Sequence, residues 1–287
     1  MPPSGSPARG GRRTRSRIAV AAVLVSTAAG LLAATPAPAA AVTPGLPDLE
    51  QVPPYSVYVY SITLRGKMQS RLTFGSASQN VGVGRLVVHG HRPNVATPLM
   101  TADQLIDTGD PANPERVPRV GVMRYTRSPD HSHWHLLDFM RYELRRASNF
   151  RRFGRDLKTG FCLGNRYDVG VFGSGGAPAS GVGEPNTEFD RDCGQGRRRL
   201  LNLEVGISPG QGDDYRPDLE GQWIDITKLR SGRYFLVHRS NPRRRMRESN
   251  YANNVASAQL IVTNDPRGRF PPRVKVLRTC WRTARCR

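Results

Sequence analysis

Three histidines alternate with other residues in Asp130-His131-Ser132-His133-Trp134-His135. Side chains two apart in an extended segment share a face, so all three imidazoles project the same way. Imidazole nitrogen is a common ligand for borderline metals, and three such ligands leave an open position for water or substrate. Half of the chain's six histidines fall within these five residues, which argues against a chance polar strand face. The ligand set by itself accepts Cu(II) or Zn(II), and Cu(II) binds such nitrogens more tightly. No glutamate stands between Asp130 and Asp138 to serve as a hydrolytic base. A flat strand would keep the outer two Cα atoms about 13 Å apart. A bend or bulge is therefore expected near His133, with Pro129 interrupting the ladder just upstream. His89, His91 and His238 stand alone in sequence and read as surface or packing residues.

The elements that must position this cluster read as short strands. The 29 glycines and 23 prolines favour turns over long helices. Period-2 alternation marks strands within 71–88, 120–125, 131–144, 222–226, 234–238 and 255–262, with Gly82 and Gly84 punctuating a turn. Residues 101–107 suit one short helical turn, and 173–185 form a Gly-rich loop. Hairpins at this spacing predict an all-β fold, an antiparallel β-sandwich with long irregular loops and little helix.

The chain has 287 residues and a net charge of +20 from 43 Lys and Arg against 23 Asp and Glu. Its 38% hydrophobic content excludes a multi-span membrane protein and a wholly disordered chain alike. Residues 1–41 have the order of a secretory signal: an arginine-rich start, an Ala/Val/Leu run, then Ala37-Pro38-Ala39-Ala40-Ala41. Arg12-Arg13 leaves Sec and Tat export both open. Losing the leader's five arginines lowers +20 to +15, and no later segment suits a bilayer span. A Pro-rich extended arm is expected over 42–66, a β domain over 67–264 and a basic tail over 265–287. Outside the cytosol the four cysteines are expected to be bridged, and proximity favours Cys162–Cys193 and Cys280–Cys286. The positive field reads first as a solvated basic surface, with contact to cell-wall polymers or other polyanions as the alternative; no nucleic-acid motif accompanies it.

Read together, several segments resemble the lysyl oxidase family, as a bacterial, secreted member. His131-Ser132-His133-Trp134-His135 is similar to the family's copper-binding segment. Lys158-Thr159-Gly160-Phe161-Cys162-Leu163 is similar to the segment whose lysine becomes half of the lysine tyrosylquinone cofactor. Gly206-Ile207-Ser208-Pro209-Gly210, continuing to Gln222-Trp223-Ile224-Asp225-Ile226-Thr227, resembles the segment that supplies the tyrosine, which falls on Tyr215. Asn241-Pro242, Glu248-Ser249-Asn250-Tyr251 and Asn253-Asn254-Val255 continue the pattern, so the likeness covers about 71–262. It implies a copper amine oxidase: copper on His131, His133 and His135, and a cofactor built by the chain from Lys158 and Tyr215. The implied reaction takes a primary amine such as peptidyl lysine, with O2, to an aldehyde, ammonia and hydrogen peroxide. Lys158 must lose its proton to add to the tyrosine ring, which burial would favour. The chain departs from the family in having fewer cysteines than the animal enzymes. The stretch after the histidines is also shorter by about one residue, and Arg141 stands where the family has a candidate basic histidine.

That departure leaves the proton acceptor open, with Asp138 and Asp214 as candidates. Six acids (Glu204, Asp213, Asp214, Asp218, Glu220 and Asp225) surround Tyr215 in sequence against one base, Arg216. They suggest a negative mouth that recruits protonated amines into an otherwise basic protein. The competing expectation is a non-catalytic copper-binding β-sandwich module that mediates contacts at the cell surface. Peroxide release from a lysine peptide separates the two.

Overall fold

A computed structural model describes residues 44–128, 132–156, 158, 160–170, 172, 188–265 and 270–286. The leader, the Gly-rich loop at 173–185, Pro129 and His131 lie outside these residues. Among the described residues there is no helix, and every strand pairing is antiparallel.

Three sheets share one core. The first is built on β3 (Lys67–Asn80), long enough to pair with two strands on each side. β1 (Leu49–Gln51) and β2 (Tyr55–Leu64) flank one side; β13 (Gln211–Tyr215) and β14 (Trp223–Asp225) flank the other, and β11 (Tyr167–Asp168) extends β13. The Pro-rich stretch is thus built into this sheet, with Leu49 fully buried. The second sheet runs β10 (Gly160–Phe161), β7 (Ser132–Leu137), β6 (Glu115–Arg127), β5 (Leu99–Ile106), β4 (Leu86–His91) and β12 (Asn202–Ile207). The third runs β17 (Arg273–Cys280), β16 (Val255–Thr263), β15 (Gly232–Ser240), β8 (Met140–Arg146) and β9 (Arg152–Arg155).

Leu72 and Phe74 of the first sheet, Met123 and Leu136 of the second, and Tyr142, Leu236 and Leu260 of the third belong to one buried cluster. Fully burying side chains of this size contributes about 1.5–3 kcal/mol each. The chain passes from the second sheet to the third between β7 and β8, where Asp138 takes the left-handed conformation (φ 60°).

Residues 101–107, expected as a helical turn, instead lie largely in β5. The alternative to helix is set by neighbours: β5 is hydrogen-bonded on both sides, and buried Asp103 is held by Arg116, His91 and the Arg119 backbone N–H. Among the described residues of β7 there is no bulge at His133, because Thr126–Arg127 pair with His133–Ser132 without a register shift. Both expected disulfides form, Cys162–Cys193 and Cys280–Cys286. His238 is a packing residue, fully buried with its ring centroid 4.4 Å from that of Tyr142 and 4.8 Å from that of Phe74. Burial alone holds its imidazole well below the usual value, hence neutral.

Candidate active site

β7 places its side chains by simple alternation. Trp134 points into the core, its indole N–H donating to the Arg197 carbonyl, while His133 and His135 project together to the other side. Their Nε2 atoms lie 2.7 Å apart with rings inclined at 70°, so the two nitrogens converge on one point from a regular strand. β10 pairs with β7 through Gly160 and Phe161. A Cβ on Gly160 would lie 2.7–2.9 Å from the His135 side chain, so glycine is what lets that imidazole lie flat against the neighbouring strand.

Lys158, just before β10, and Tyr215, the last residue of β13, meet at the same place. The Lys158 Nζ lies 5.0 Å from the Tyr215 ring centroid and 5.5 Å from that of Phe161. Phe161 meets Tyr215 edge to face, centroids 5.1 Å apart at 88°, and so fixes the plane of the phenol. The Tyr215 hydroxyl sits between two acceptors that share its one proton, 2.5 Å from Asp213 Oδ2 and 3.0 Å from the Cys162 carbonyl. Asp213 is fully buried, and its other oxygen is ion-paired with Arg166.

The electrostatics follow from burial. Desolvation lowers Lys158 to about 8 against the opposing pull of Asp213, Asp156 and Glu220. Burial, then the charge of Asp213, raises the Tyr215 phenol well above its ordinary value, so it stays protonated and donates. Asp213 is pushed up to about 6 by burial, while Arg166 and the Tyr215 hydroxyl pull the other way, leaving it ionised at neutral pH.

His133, His135, Lys158, Tyr215, Arg166, Arg191, Asp214 and Arg216 line a single cavity of about 470 Å³, with Cys162 and Leu219. Two of the three expected ligands and both expected cofactor residues therefore share one wall; His131 lies outside the described residues. Among the described residues no group of three or more His, Cys, Asp or Glu is set to hold a metal ion.

The expected acidic mouth does not form. Asp213 is buried against Arg166, Asp218 pairs with Arg216, Asp225 bonds Thr227 and Gln69, and Glu204 belongs to β12 in the second sheet. Of the six acids only Asp214 lines the cavity. Neighbours in sequence were scattered because the chain changes role every few residues here, from strand to turn to strand. Asp138, the other candidate base, pairs with Arg243 at 3.1 Å and is not among the lining residues.

Sequence reasoning missed Arg166 and Arg191. The available signal was the Cys162–Cys193 pairing: Arg166 lies four residues after one cysteine and Arg191 two before the other, so the bridge carries both to the cavity.

The fold and cavity define an all-β protein that sets paired imidazoles beside a lysine and a clamped tyrosine. Residues 189–268 match the family described as lysyl oxidase. The chain is 32% identical over 137 residues to protein-lysine 6-oxidase of Sus scrofa, covering 46% of this chain and 45% of that protein. Identity to the Homo sapiens protein-lysine 6-oxidase is 31% over 137 residues, covering 46% and 27%. For lysyl oxidase homolog 3B of Danio rerio it is 31% over 143 residues, covering 48% and 14%. Over these stretches the chain is similar to lysyl oxidases, and the aligned part spans less than half the length of each of these relatives.

Proposed function

We propose that this chain is a secreted, copper-dependent amine oxidase that converts primary amines such as peptidyl lysine, with O2 and water, to aldehyde, ammonia and hydrogen peroxide. The observation that carries the reading is the 5.0 Å approach of Lys158 Nζ to the Tyr215 ring in a cavity shared with His133 and His135. Two imidazole nitrogens converging 2.7 Å apart are a donor set suited to chelating one copper ion, with His131 as the third ligand. Bound copper and a lysine tyrosylquinone made from Lys158 and Tyr215 would supply the electron transfer from amine to O2.

The chain's own groups supply position and protons. Asp213 and the Cys162 carbonyl hold the phenol by its oxygen, and Phe161 holds it by its edge. Partly desolvated, Lys158 reaches its neutral, nucleophilic form near physiological pH. Arg166 keeps Asp213 charged, so the acceptor for the hydroxyl persists. Asp214, whose pKa burial raises, is the carboxylate on the cavity wall and takes the role of proton acceptor.

Mass spectrometry of copper-loaded, aerated protein tests the reading. A peptide joining residues 158 and 215, together with peroxide release from a lysine peptide, is expected; unmodified Lys158 and Tyr215 peptides would overturn it. A copper-binding module without turnover would take up the metal and release no peroxide.

A further inference from the structure

The wall around the Lys158–Tyr215 pair is cationic. Besides Lys158 it presents Arg166, Arg191 and Arg216, against the single carboxylate of Asp214. Arg166 is spent on Asp213. The other two guanidinium groups belong to exposed residues and stand at the cavity's solvent side. Arg216 meets Asp218 at 3.1 Å, but both side chains are more than half exposed, and such a pair is worth little. No carboxylate among the described residues forms an ion pair with Arg191, though Asp214 feels its charge.

We infer that Arg191 and Arg216 are specificity-determining residues that select amines carrying carboxylates near the reacting group, in the form of lysines flanked by acidic residues. The inference rests on the amine-oxidase reading for what enters the cavity. A lysine side chain directed at Tyr215 must leave its own backbone and neighbouring residues outside, over the solvent side where the two arginines stand. Carboxylates there meet planar, fully charged partners able to bind both oxygens. Cationic neighbours meet like charge, reinforced by the chain's excess of Lys and Arg over Asp and Glu. Without acidic flanks, a lysine peptide would approach against this field.

The test uses the full chain prepared without copper and three fluorescent nonapeptides, each with one central lysine flanked by glutamate, alanine or arginine. Anisotropy titrations at low salt are expected to give the affinity order glutamate, alanine, arginine, with about five- to ten-fold between the first two. The spread should shrink in 0.5 M salt, where charges are screened beyond a few ångströms. The double variant Arg191→Glu, Arg216→Glu should invert the order. Lys275→Glu with Arg278→Glu changes the net charge equally on exposed positions of β17 and should preserve it. Equal binding of the glutamate and alanine peptides, or an equal loss of preference in both double variants, would overturn the inference. Peroxide release by the copper-loaded chain separates this from the underlying reading. Release from all three peptides with no affinity order sinks the specificity claim alone, whereas the affinity order without any release sinks the oxidase alone.

Discussion

The carbonyl of Cys162 accepts the hydroxyl of Tyr215 at 3.0 Å, so a disulfide-bonded residue holds the phenol in place. The partner cysteine reaches the other side of the site, because the Cys193 carbonyl accepts the backbone N–H of Trp134, between His133 and His135. The bridge thereby ties the phenol to the histidine strand.

Replacing both Cys162 and Cys193 by alanine should lower unfolding stability by roughly 3–4 kcal/mol, from the loop of 31 residues that the bridge closes. Urea titration measures it. The same variant should form less of the 158–215 cross-link, and unchanged cross-linking would mean the bridge is not needed to position Tyr215.

Tyr215→Phe removes one hydroxyl and leaves Asp213 and the Cys162 carbonyl without that donor. A loss of about 1–3 kcal/mol is expected, with the fold retained and the cross-link and peroxide release abolished. Near-normal peroxide release would show that the phenol is dispensable.

Lys158 should react with a small acylating reagent half-maximally near pH 8, rather than at the ordinary lysine value of 10.5. Site-resolved mass spectrometry of copper-free protein reads this directly. Because the fold lowers this pKa, the unfolded chain binds the extra proton between about 8 and 10.5. Stability from this group is therefore reduced below pH 8 and recovered as pH rises through that window.

Glu248 is a buried carboxylate that accepts hydrogen bonds from Asn241, Asn254 and the Leu49 backbone N–H, joining β1 to the loop before β16. Glu248→Ala should cost about 2–4 kcal/mol, since it orphans buried donors. Burial raises its pKa from 4.5 to about 7, so the native state holds the proton more tightly across that interval. Its contribution to stability falls as pH rises from 4.5 to 7, and Glu248→Gln should remove that part of the slope in denaturation curves.

Several elements were legible because local pattern and tertiary environment agree. The alternation around Trp223, Tyr234 and Val255 gave strands that the third and first sheets contain. The 101–107 segment was misread because its polar residues carry no visible apolar stripe; Asp103 and Gln104 are buried by partners distant in sequence, Arg116 and the Arg247 backbone among them. The bend near His133 was inferred from the Cα span between His131 and His135; within the described strand His133 and His135 already meet through side-chain reach, with no bulge between them.

By itself, the sequence determined that alternate imidazoles of the histidine segment share a face, because alternation is a local property of the chain, and it favoured nearest-neighbour cysteine pairing, which the structure then settled. Through its family likeness it also singled out Lys158 and Tyr215. Only the tertiary structure decided that these meet those imidazoles in one cavity, that Asp213 turns inward to clamp the phenol, and that arginines rather than carboxylates face the solvent there. Those outcomes depend on which strands become neighbours, and long-range pairing across β3, β7 and β13 has no signature in adjacent residues.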